Sequence, residues 1–302
     1  MNIKVSFCIV TDSQKELLKD CLKSIYKFKP NFPFEIYVVD NASINEIYKM
    51  VERNFPEVKL IVNKKKYGFG KNNNFALKKC KGEYIVILND DTLILKDSIN
   101  KMIEFLDKRN NIGAAGLKQY YENGEIQLVT KKELPNLWSY IINKVFLGKF
   151  FKSYKKNKNY IESGEVKVLS GACMFVRKDI FDKIGFFDEK FRFYWEDVDL
   201  CRRIGEAGYK LYYNSECEIM HFQGMSISKK MKAQSRIEEF RSMIYYYHKY
   251  NELKFYWIIK YIYVSTNMIN FFLFLFIRPS NSAEFMEIVI WHLKHLTIKS
   301  IL

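Results

Sequence analysis

The first part of the chain alternates short apolar runs with amphipathic stretches. Short apolar runs bounded by polar residues are typical of buried strands, and apolar residues three or four positions apart are typical of helices. The alternation predicts an α/β fold with a parallel sheet covered by helices on both faces. The runs that predict strands are VSFCIV (5–10), EIYVVD (35–40), VKLIVN (58–63), EYIVILN (83–89) and IGAAGL (112–117).

A different pattern begins after residue 118. The segment YYENGEIQLV (120–129) predicts a hairpin that turns at Asn123-Gly124. Strand character returns at 166–177, and a helix is predicted near 178–184. From residue 241 onward aromatic and basic residues dominate, which predicts a helical extension.

One stretch of that extension raises the question of a membrane. Between Lys260 and Arg278 lie 17 uncharged residues, at the low end of the roughly 17–25 that span a bilayer. Polar residues within 261–277, among them Asn267 and Asn270, weaken a spanning interpretation. The sequence favours a helix that lies on the membrane surface over one that crosses it, and packing against a second subunit stays open.

The charge and the cysteines of the chain bear on its binding partners and its cellular location. Lys and Arg number 49 against 34 Asp and Glu, and the net charge of +15 predicts attraction to phosphates, anionic lipids or nucleic acid. The segment 142–160 carries six lysines and no acid, so it is either a solvated loop or a contact for an anionic surface. Six scattered cysteines without a CxxC pair predict buried free thiols, and no signal-peptide pattern is present. A cytoplasmic location is expected.

Polar residues end the predicted strands, where ligands gather in open parallel sheets. Asp40 can accept hydrogen bonds from a ribose or a base, or it can cap a helix. The segment KYGFGKNNN (66–74) opens a helix and can approach phosphates, or it is a glycine turn. In ILNDDT (87–92), Asp91 and its neighbours can hold a hard divalent ion between phosphates, or they form a turn.

The segment FYWEDVDLCRR (193–203) places three carboxylates behind aromatic residues. Acids in a first helical turn favour the positive end of the helix, which is the simpler interpretation. A half-buried Asp197 can also act as a general base. In the predicted helix Arg202 and Arg203 face outward. His221 ends a later strand and, taken alone, is more often structural than a ligand.

Seven segments in this order resemble the family-2 glycosyltransferases of the GT-A fold. The resemblance is closest to the rhamnosyltransferase-like and galactofuranosyltransferase-like enzymes of bacterial surface polysaccharides. The segments, between about residues 3 and 227, are VSFCIVT, VVDNAS, YGFGKNNNFAL, ILNDDT, LSGACMFVRKDIFDKIGFFDEKF, FYWEDVDLCRRIGEAGYKLYY and MHFQGMS.

The resemblance implies a Rossmann-like, mostly parallel sheet flanked by helices, followed by a helical C-terminal extension. Residues 1–118 would bind the nucleotide sugar, residues 119–240 would bind the acceptor and carry the catalytic residues, and residues 241–302 would contact a membrane or a subunit.

It also implies roles for individual residues. Asp197 would be the general base, with Glu196 assisting on acceptor hydroxyls. Asp91 and His221 would hold Mn²⁺ or Mg²⁺ on the donor diphosphate, which reverses the structural interpretation of His221. The remaining donor-site residues would be Thr11, Asp40, Asn41, Gly68, Asn73, Asn89 and Asp90, and the acceptor site would include Trp195, Gly171 and Ala172.

The sequence departs from the family pattern in places. Asn89 stands where the family's DxD motif usually begins with aspartate, which leaves the role of Asp90 open, and TDS replaces the common TYN after the first strand. The QxxRW signature of processive synthases is absent from the sequence, so addition of a single sugar is expected.

The expected function is inverting transfer of one sugar from a UDP- or dTDP-sugar to a saccharide or lipid-linked acceptor at the inner-membrane surface. A catalytically inactive or partner-dependent GT-A protein is the main alternative, and a homodimer stays open. A sugar nucleotidyltransferase is disfavoured because TDSQKELL (11–18) lacks glycine. A nucleic-acid-binding protein is disfavoured because no such signature appears, so no nucleic-acid partner is expected.

Overall fold

The apolar runs form strands and the amphipathic stretches between them form helices, as predicted. The computed structural model describes residues 2–12, 14–43, 46–127, 130, 133–135, 162–222, 232–253, 256–277 and 279–301. The strands are β1 (Val5–Thr11), β2 (Phe34–Asp40), β3 (Lys59–Val62), β4 (Tyr84–Asn89), β5 (Thr92–Leu95), β6 (Ile112–Tyr120), β7 (Gly164–Val166), β8 (Cys173–Arg177) and β9 (Lys210–His221). The helices among them are α1 (Lys15–Lys27), α2 (Glu46–Asn54), α3 (Phe69–Leu77), α4 (Ser98–Asp107), α5 (Lys178–Ile184) and α6 (Glu196–Glu206).

The sheet begins with four parallel strands in the order β3-β2-β1-β4. Next comes β8, which runs antiparallel to both β4 and β6, and β9 lies parallel to β6. Strands β5 and β7 pair antiparallel with β9. The predicted parallel sheet is therefore confirmed for β1 to β4. Strand β6 was expected to be the next parallel strand, but it is separated from β4 because β8 inserts between them.

Alternate side chains of the central strands enter two different cores. Phe7 and Ile9 of β1 join one core, and Cys8 between them joins the other. In β4, Val86 joins the first core and Ile87 the second. Helices α1, α2 and α4 cover the first core, and α3, α5 and α6 cover the second. Because helices cover both faces, these strands are continuous apolar runs and not alternating ones.

Two smaller predictions are also confirmed. Tyr120 pairs antiparallel with Ile126 across a turn in which Gly124 has φ of +81°, a left-handed conformation that favours glycine. All six cysteines are buried free thiols. The lysine-rich segment 142–160 and the residues 223–231 lie outside the described residues.

Chain contacts divide the protein into two units. The first, which contains the sheet, comprises Met1–Leu134, Lys158–Glu189 and Glu196–Ser226; the second comprises Pro135–Asn157, Lys190–Trp195 and Ile227–Leu302. The described helices of the second unit are α7 (Lys232–Lys249), α8 (Tyr256–Ile277), α9 (Pro279–Lys294) and α10 (Ile298–Ile301). Among the described helices, none combines the length and apolar character needed to cross a bilayer. The assignment of residues 1–118 and 119–240 to donor and acceptor stays a prediction.

A histidine is enclosed between three helices of the second unit. The ring of His292 contacts Phe240 and Tyr263, with centroid distances of 4.5 and 5.1 Å. Neither imidazole nitrogen has a hydrogen-bond partner among the described residues. Burial lowers the pKa of His292 to about 3, because a charged imidazole would lose its hydration there. The ring is therefore neutral at physiological pH.

Candidate active site

The carboxyl ends of β1, β2 and β4 bring together three of the predicted donor-site residues. Thr11 lies opposite Asp40 in the strand register, and Asn89 lies opposite Val10. The backbone N–H of Asn41 donates to the carbonyl of Thr11 over 2.9 Å, which ties the two strand ends together. Thr11 and Asp40 are buried. The carboxyl ends of these strands therefore bring several oxygen acceptors close together, as expected where a ligand binds a parallel sheet.

Asp40 and Asn41 also organise the loops that follow their strand. One oxygen of Asp40, Oδ1, accepts the backbone N–H of Ser43 over 2.9 Å. The amide of Asn41 accepts from the N–H of Tyr67 and donates to its carbonyl. The alternative considered for Asp40 was a helix cap. Its Oδ1 instead closes a local turn at Ser43, ahead of α2, which begins at Glu46; the second carboxylate oxygen takes no part in that bond.

The asparagine-rich segment that opens α3 is held by internal hydrogen bonds. Gly68, with extended backbone, precedes the first residue of the helix. The amide of Asn73 donates to the carbonyl of Phe69 over 3.0 Å, and its oxygen accepts from the thiol of Cys8 over 3.3 Å. A direct contact between Asn73 and a nucleotide stays a prediction, and it would compete with these two bonds. Gly68 leaves the start of the helix without a side chain in front of it.

Two aspartates follow β4, which ends at Asn89. Both are buried, with 5% exposure for Asp90 and 4% for Asp91. Burial raises the pKa of Asp90 to about 7, since a carboxylate is poorly hydrated at this position. The Oδ1 atom of Asp91 and the Oδ2 atom of Asp90 have no hydrogen-bond partner among the residues that the structure describes. Buried oxygens of this kind need a ligand or water to satisfy them.

His221 lies beside Asp91 although 129 other residues separate them in sequence. It ends β9 and pairs with Thr92 of β5, and the N–H of Phe222 donates to the carbonyl of Asp91 over 2.9 Å. The Nε2 atom of His221 is 3.3 Å from Oδ1 of Asp91, and no hydrogen bond joins them. The two predicted metal ligands are therefore adjacent.

This pair fits a divalent cation that takes its other ligands from elsewhere. The described residues contain no group of three His, Cys, Asp or Glu side chains arranged to hold a metal ion. Mg²⁺ in phosphate-transfer sites is commonly held by one or two protein groups together with substrate phosphates. The unpartnered oxygen of Asp91 is a donor of the kind that such an ion prefers, and Nε2 of His221, 3.3 Å from it, would be the second protein ligand.

The carboxylates at the start of α6 have different environments. Glu196 is buried, its Oε2 lacks a partner in the described part of the chain, and burial together with the charge of Asp197 raises the pKa of Glu196. Asp197 is half-buried, and its Oδ2 accepts the N–H of Gly171 over 3.2 Å. The two carboxylates thus differ in burial, and a raised pKa of one carboxyl beside a more accessible one is the arrangement that separates acid and base roles in active sites.

The third carboxylate, Asp199, is structural. It is fully buried and pairs with Arg203 at 2.8 Å. Arg203 also donates to the carbonyl of Ile184, the last residue of α5, and to that of Phe186 beyond it. The expectation that Arg203 faces outward is wrong, because its guanidinium satisfies a buried acid and two backbone carbonyls.

A short segment connects the helix start to the donor edge. Gly171 donates to Asp197, and the carbonyl of the next residue, Ala172, accepts the N–H of Asn89 over 2.9 Å. A Cβ atom on Gly171 would lie 3.6 Å from the Cβ of Asp197, an ordinary contact distance. The two predicted acceptor-site residues thus lie between the end of β4 and the candidate base.

The aromatic residues before α6 adopt an unusual backbone. Tyr194 and Trp195 have φ of +64° and +69°, a left-handed conformation that costs free energy in residues with large side chains. Trp195 is 5% exposed and packs on Tyr246 and Tyr247, whereas Tyr194 is 40% exposed. Stacking of Trp195 on a sugar stays a prediction that requires the ring to become accessible. The greater exposure of the Tyr194 ring, compared with Trp195, was not predicted from the sequence.

Comparison with known proteins gives the family. A model of Glycosyl transferase family 2 matches residues 6–185. The N-acetylglucosaminyl-diphospho-decaprenol L-rhamnosyltransferase of Mycobacterium tuberculosis is 25% identical over 214 residues, which cover 65% of this chain and 69% of that enzyme. Other matches are partial, and the chain spans about a quarter of the length of one longer, uncharacterized relative.

Solved structures give the fold. The mannosyltransferase PcManGT from Pyrobaculum calidifontis, in complex with GDP-Man and Mn²⁺, has a TM-score of 0.57 at 15% identity and aligns over 98% of this chain and 89% of its own. S. aureus TarS 1–349, in complex with UDP-GlcNAc, has a TM-score of 0.52 at 20% identity, over 80% and 66% of the two chains. Since the family match covers more than half of the sequence and the fold agrees, the chain belongs to glycosyl transferase family 2 and has the GT-A fold.

Proposed function

We propose that the protein is an inverting glycosyltransferase that moves a single sugar from a UDP- or dTDP-sugar to a saccharide or lipid-linked saccharide. The observation that supports this most is the hydrogen-bonded segment Gly171-Ala172, which joins Asp197 to the end of β4. It keeps a half-buried carboxylate close to the strand ends that would bind the donor.

The donor would bind at the carboxyl ends of β1, β2 and β4. Asp40 and Thr11 would contact the nucleoside, with Asn41 fixing the neighbouring loop. Gly68, at the start of α3, would let the diphosphate approach the helix N-terminus. Asn73, Asn89 and Asp90 complete the proposed donor site.

Asp91 and His221 would hold Mn²⁺ or Mg²⁺ against the donor diphosphate. A bound cation there would neutralise charge that develops on the leaving diphosphate. The support for this assignment is the unpartnered Oδ1 of Asp91, 3.3 Å from Nε2 of His221. Binding of Mn²⁺ by the GT-A neighbour PcManGT is consistent with it.

Asp197 would act as the base in a single displacement. The acceptor hydroxyl oxygen forms a bond to the anomeric carbon while its proton passes to Asp197. The bond from that carbon to the phosphate oxygen breaks, and the electron pair leaves with the nucleoside diphosphate. Glu196, whose pKa burial raises, would keep a proton and donate a hydrogen bond to an acceptor hydroxyl. Gly171 and Ala172 would form the wall of the acceptor site.

Cell-surface polysaccharide synthesis is the proposed setting. The mycobacterial relative is named for L-rhamnose transfer to a diphospho-decaprenol-linked N-acetylglucosamine. By analogy we assign a rhamnose-like donor and an acceptor carried on a lipid diphosphate. A catalytically inactive or partner-dependent GT-A protein remains the alternative.

The first test is a thermal-shift panel with UDP, dTDP, GDP and CDP, each with and without Mn²⁺. One nucleotide should raise the melting temperature by several degrees more with metal than without it. A ligand at a hundred times its Kd adds about 2.7 kcal/mol to stability. The nucleotide that gives the rise identifies the donor class. Folded protein that responds to none of the four would favour the inactive or partner-dependent alternative.

We further propose that the second unit lies against the cytoplasmic face of the membrane. Helix α8 exposes large apolar side chains, with Trp257 61%, Tyr261 73% and Phe272 54% exposed. Exposed aromatic residues beside lysines are typical of helices at a membrane interface. An alternative occupant of this face is a second copy of the chain.

Anionic vesicles should bind the protein at low salt and release most of it when salt is raised, because each basic residue contributes up to about 1 kcal/mol. The double variant Trp257→Glu, Tyr261→Glu should lose binding, measured by vesicle co-sedimentation. Tyr48→Glu changes an aromatic residue of the first unit that is 49% exposed and should bind as the native protein does. Wild-type binding that is unaffected by salt, or a double variant that still binds, would contradict the proposal. Light scattering of the protein without vesicles would then test the alternative, which predicts a dimer.

A further inference from the structure

Gln127 is a buried glutamine held against the proposed metal site. It follows the hairpin at 120–126 and is 3% exposed. Its backbone N–H donates to the carbonyl of Gln119 over 2.8 Å, which fixes the position of its main chain. Its side-chain amide reaches the residue that ends β9, His221.

The hydrogen bonds determine which way the amide faces. The Nε2 atom of Gln127 lies 2.6 Å from the carbonyl oxygen of His221 and 3.3 Å from that of Tyr120. Carbonyl oxygens only accept, so the NH₂ group must face them. The amide oxygen is therefore the atom that lies 3.0 Å from Nδ1 of His221.

This orientation determines the tautomer of the histidine. An amide oxygen accepts hydrogen bonds, so Nδ1 of His221 must carry the hydrogen. In the neutral ring Nε2 then has a lone pair, and it is this atom that lies 3.3 Å from Oδ1 of Asp91. The opposite tautomer would place an N–H beside the carboxylate, and Nε2 would then have no lone pair for a cation.

We propose that Gln127 is a positioning residue that holds His221 in the tautomer able to bind a divalent cation. This inference rests on the proposed role of His221 as a metal ligand. Partners that hold the second nitrogen of a ligating histidine orient the ring and raise its basicity, and their loss typically weakens metal binding about 10–100-fold.

The tautomer can be measured without metal or substrate. The chain contains four histidines, so ring nitrogens in protein labelled with ¹⁵N-histidine can be assigned by substitution of each histidine. At about pH 8, well above the usual histidine pKa, the wild-type His221 should show a protonated Nδ1 and an unprotonated Nε2. Protonation of Nε2 in the wild type would overturn the proposal by itself.

Metal affinity tests the consequence. Gln127→Met keeps the bulk of the side chain but cannot accept a hydrogen bond from Nδ1, so Mn²⁺ binding in the presence of UDP should weaken about 10–100-fold and the tautomers should mix. Gln127→Glu retains an oxygen that accepts from Nδ1, but its second oxygen would face the carbonyl of His221, where Gln127 donates now over 2.6 Å, so it should restore only part of the affinity. Gln119→Met is the matched control, because that buried glutamine has an amide oxygen with no partner in the described part of the chain. Free Mn²⁺ can be counted by electron paramagnetic resonance.

The variants separate this inference from the proposal on which it rests. If His221→Ala binds Mn²⁺ as tightly as the wild type, the metal role of His221 is wrong. If His221→Ala weakens binding but Gln127→Met changes neither affinity nor tautomer, only the role of Gln127 is wrong. A Gln127→Met protein that fails to fold leaves the wild-type tautomer as the deciding measurement.

Discussion

Asp197→Asn should lower the rate of sugar transfer by about 10³-fold, within the range that a lost general base costs, while nucleotide binding stays unchanged. Asp197 now accepts the N–H of Gly171 over 3.2 Å and that of Val198 over 2.8 Å. The asparagine oxygen can still accept one of them, so the variant should fold with the loss of one local hydrogen bond. An amide cannot take the proton of the acceptor hydroxyl. The rate would be measured with a nucleotide sugar chosen from the panel and a lipid-diphosphate-linked N-acetylglucosamine.

A neighbouring carboxylate provides the control. Asp199→Asn removes a negative charge two residues away but disturbs the buried pair with Arg203, so it should lower the melting temperature. Loss of one partner of a buried ion pair typically costs about 3–5 kcal/mol. Its transfer rate per folded molecule should remain within a few-fold of the wild type. Near-normal turnover by Asp197→Asn would show that another group is the base.

The contrast between these two aspartates shows how far the sequence alone could go. The apolar runs predicted β1 to β4 because burial on both faces leaves a continuous pattern that needs no knowledge of neighbours. The three acids of α6 look alike in sequence. The contacts of each acid distinguish them: Asp197 accepts from Gly171 of a distant segment, and Asp199 pairs with Arg203 of the same helix.

Contacts between segments that are far apart in sequence explain the other features that the sequence did not predict. Strand β8 inserts between β4 and β6, an order that local periodicity cannot encode because it depends on where a later segment returns. Gln127 carries no motif, and its importance arises only when β9 returns to place His221 beside it. No sequence pattern marks His292, and its burial without a hydrogen-bond partner in the described residues follows from packing of α7, α8 and α9.

Asp91→Ala should abolish the metal-dependent part of nucleotide binding. Loss of partners that merely orient a ligand costs about 10–100-fold in metal affinity, so removal of a ligand itself should cost at least the upper end of that range. Calorimetric titration of the preferred nucleoside diphosphate, with and without Mn²⁺, gives the metal enhancement for each protein. Affinity without metal should be equal in the variant and the wild type, which serves as an internal control for folding.

Asp91→Asn separates the effect of the donor atom from the effect of its charge. It keeps one oxygen near Nε2 of His221 but removes the negative charge, so its metal enhancement should lie between those of the wild type and Asp91→Ala. This order follows because a divalent cation gains from both the donor atom and the charge of a carboxylate. Asp90 is the alternative carboxylate, since its Oδ2 also has no hydrogen-bond partner in the described residues. A full metal enhancement in Asp91→Ala that disappears in Asp90→Ala would transfer the ligand role to Asp90 and require a different partner for His221.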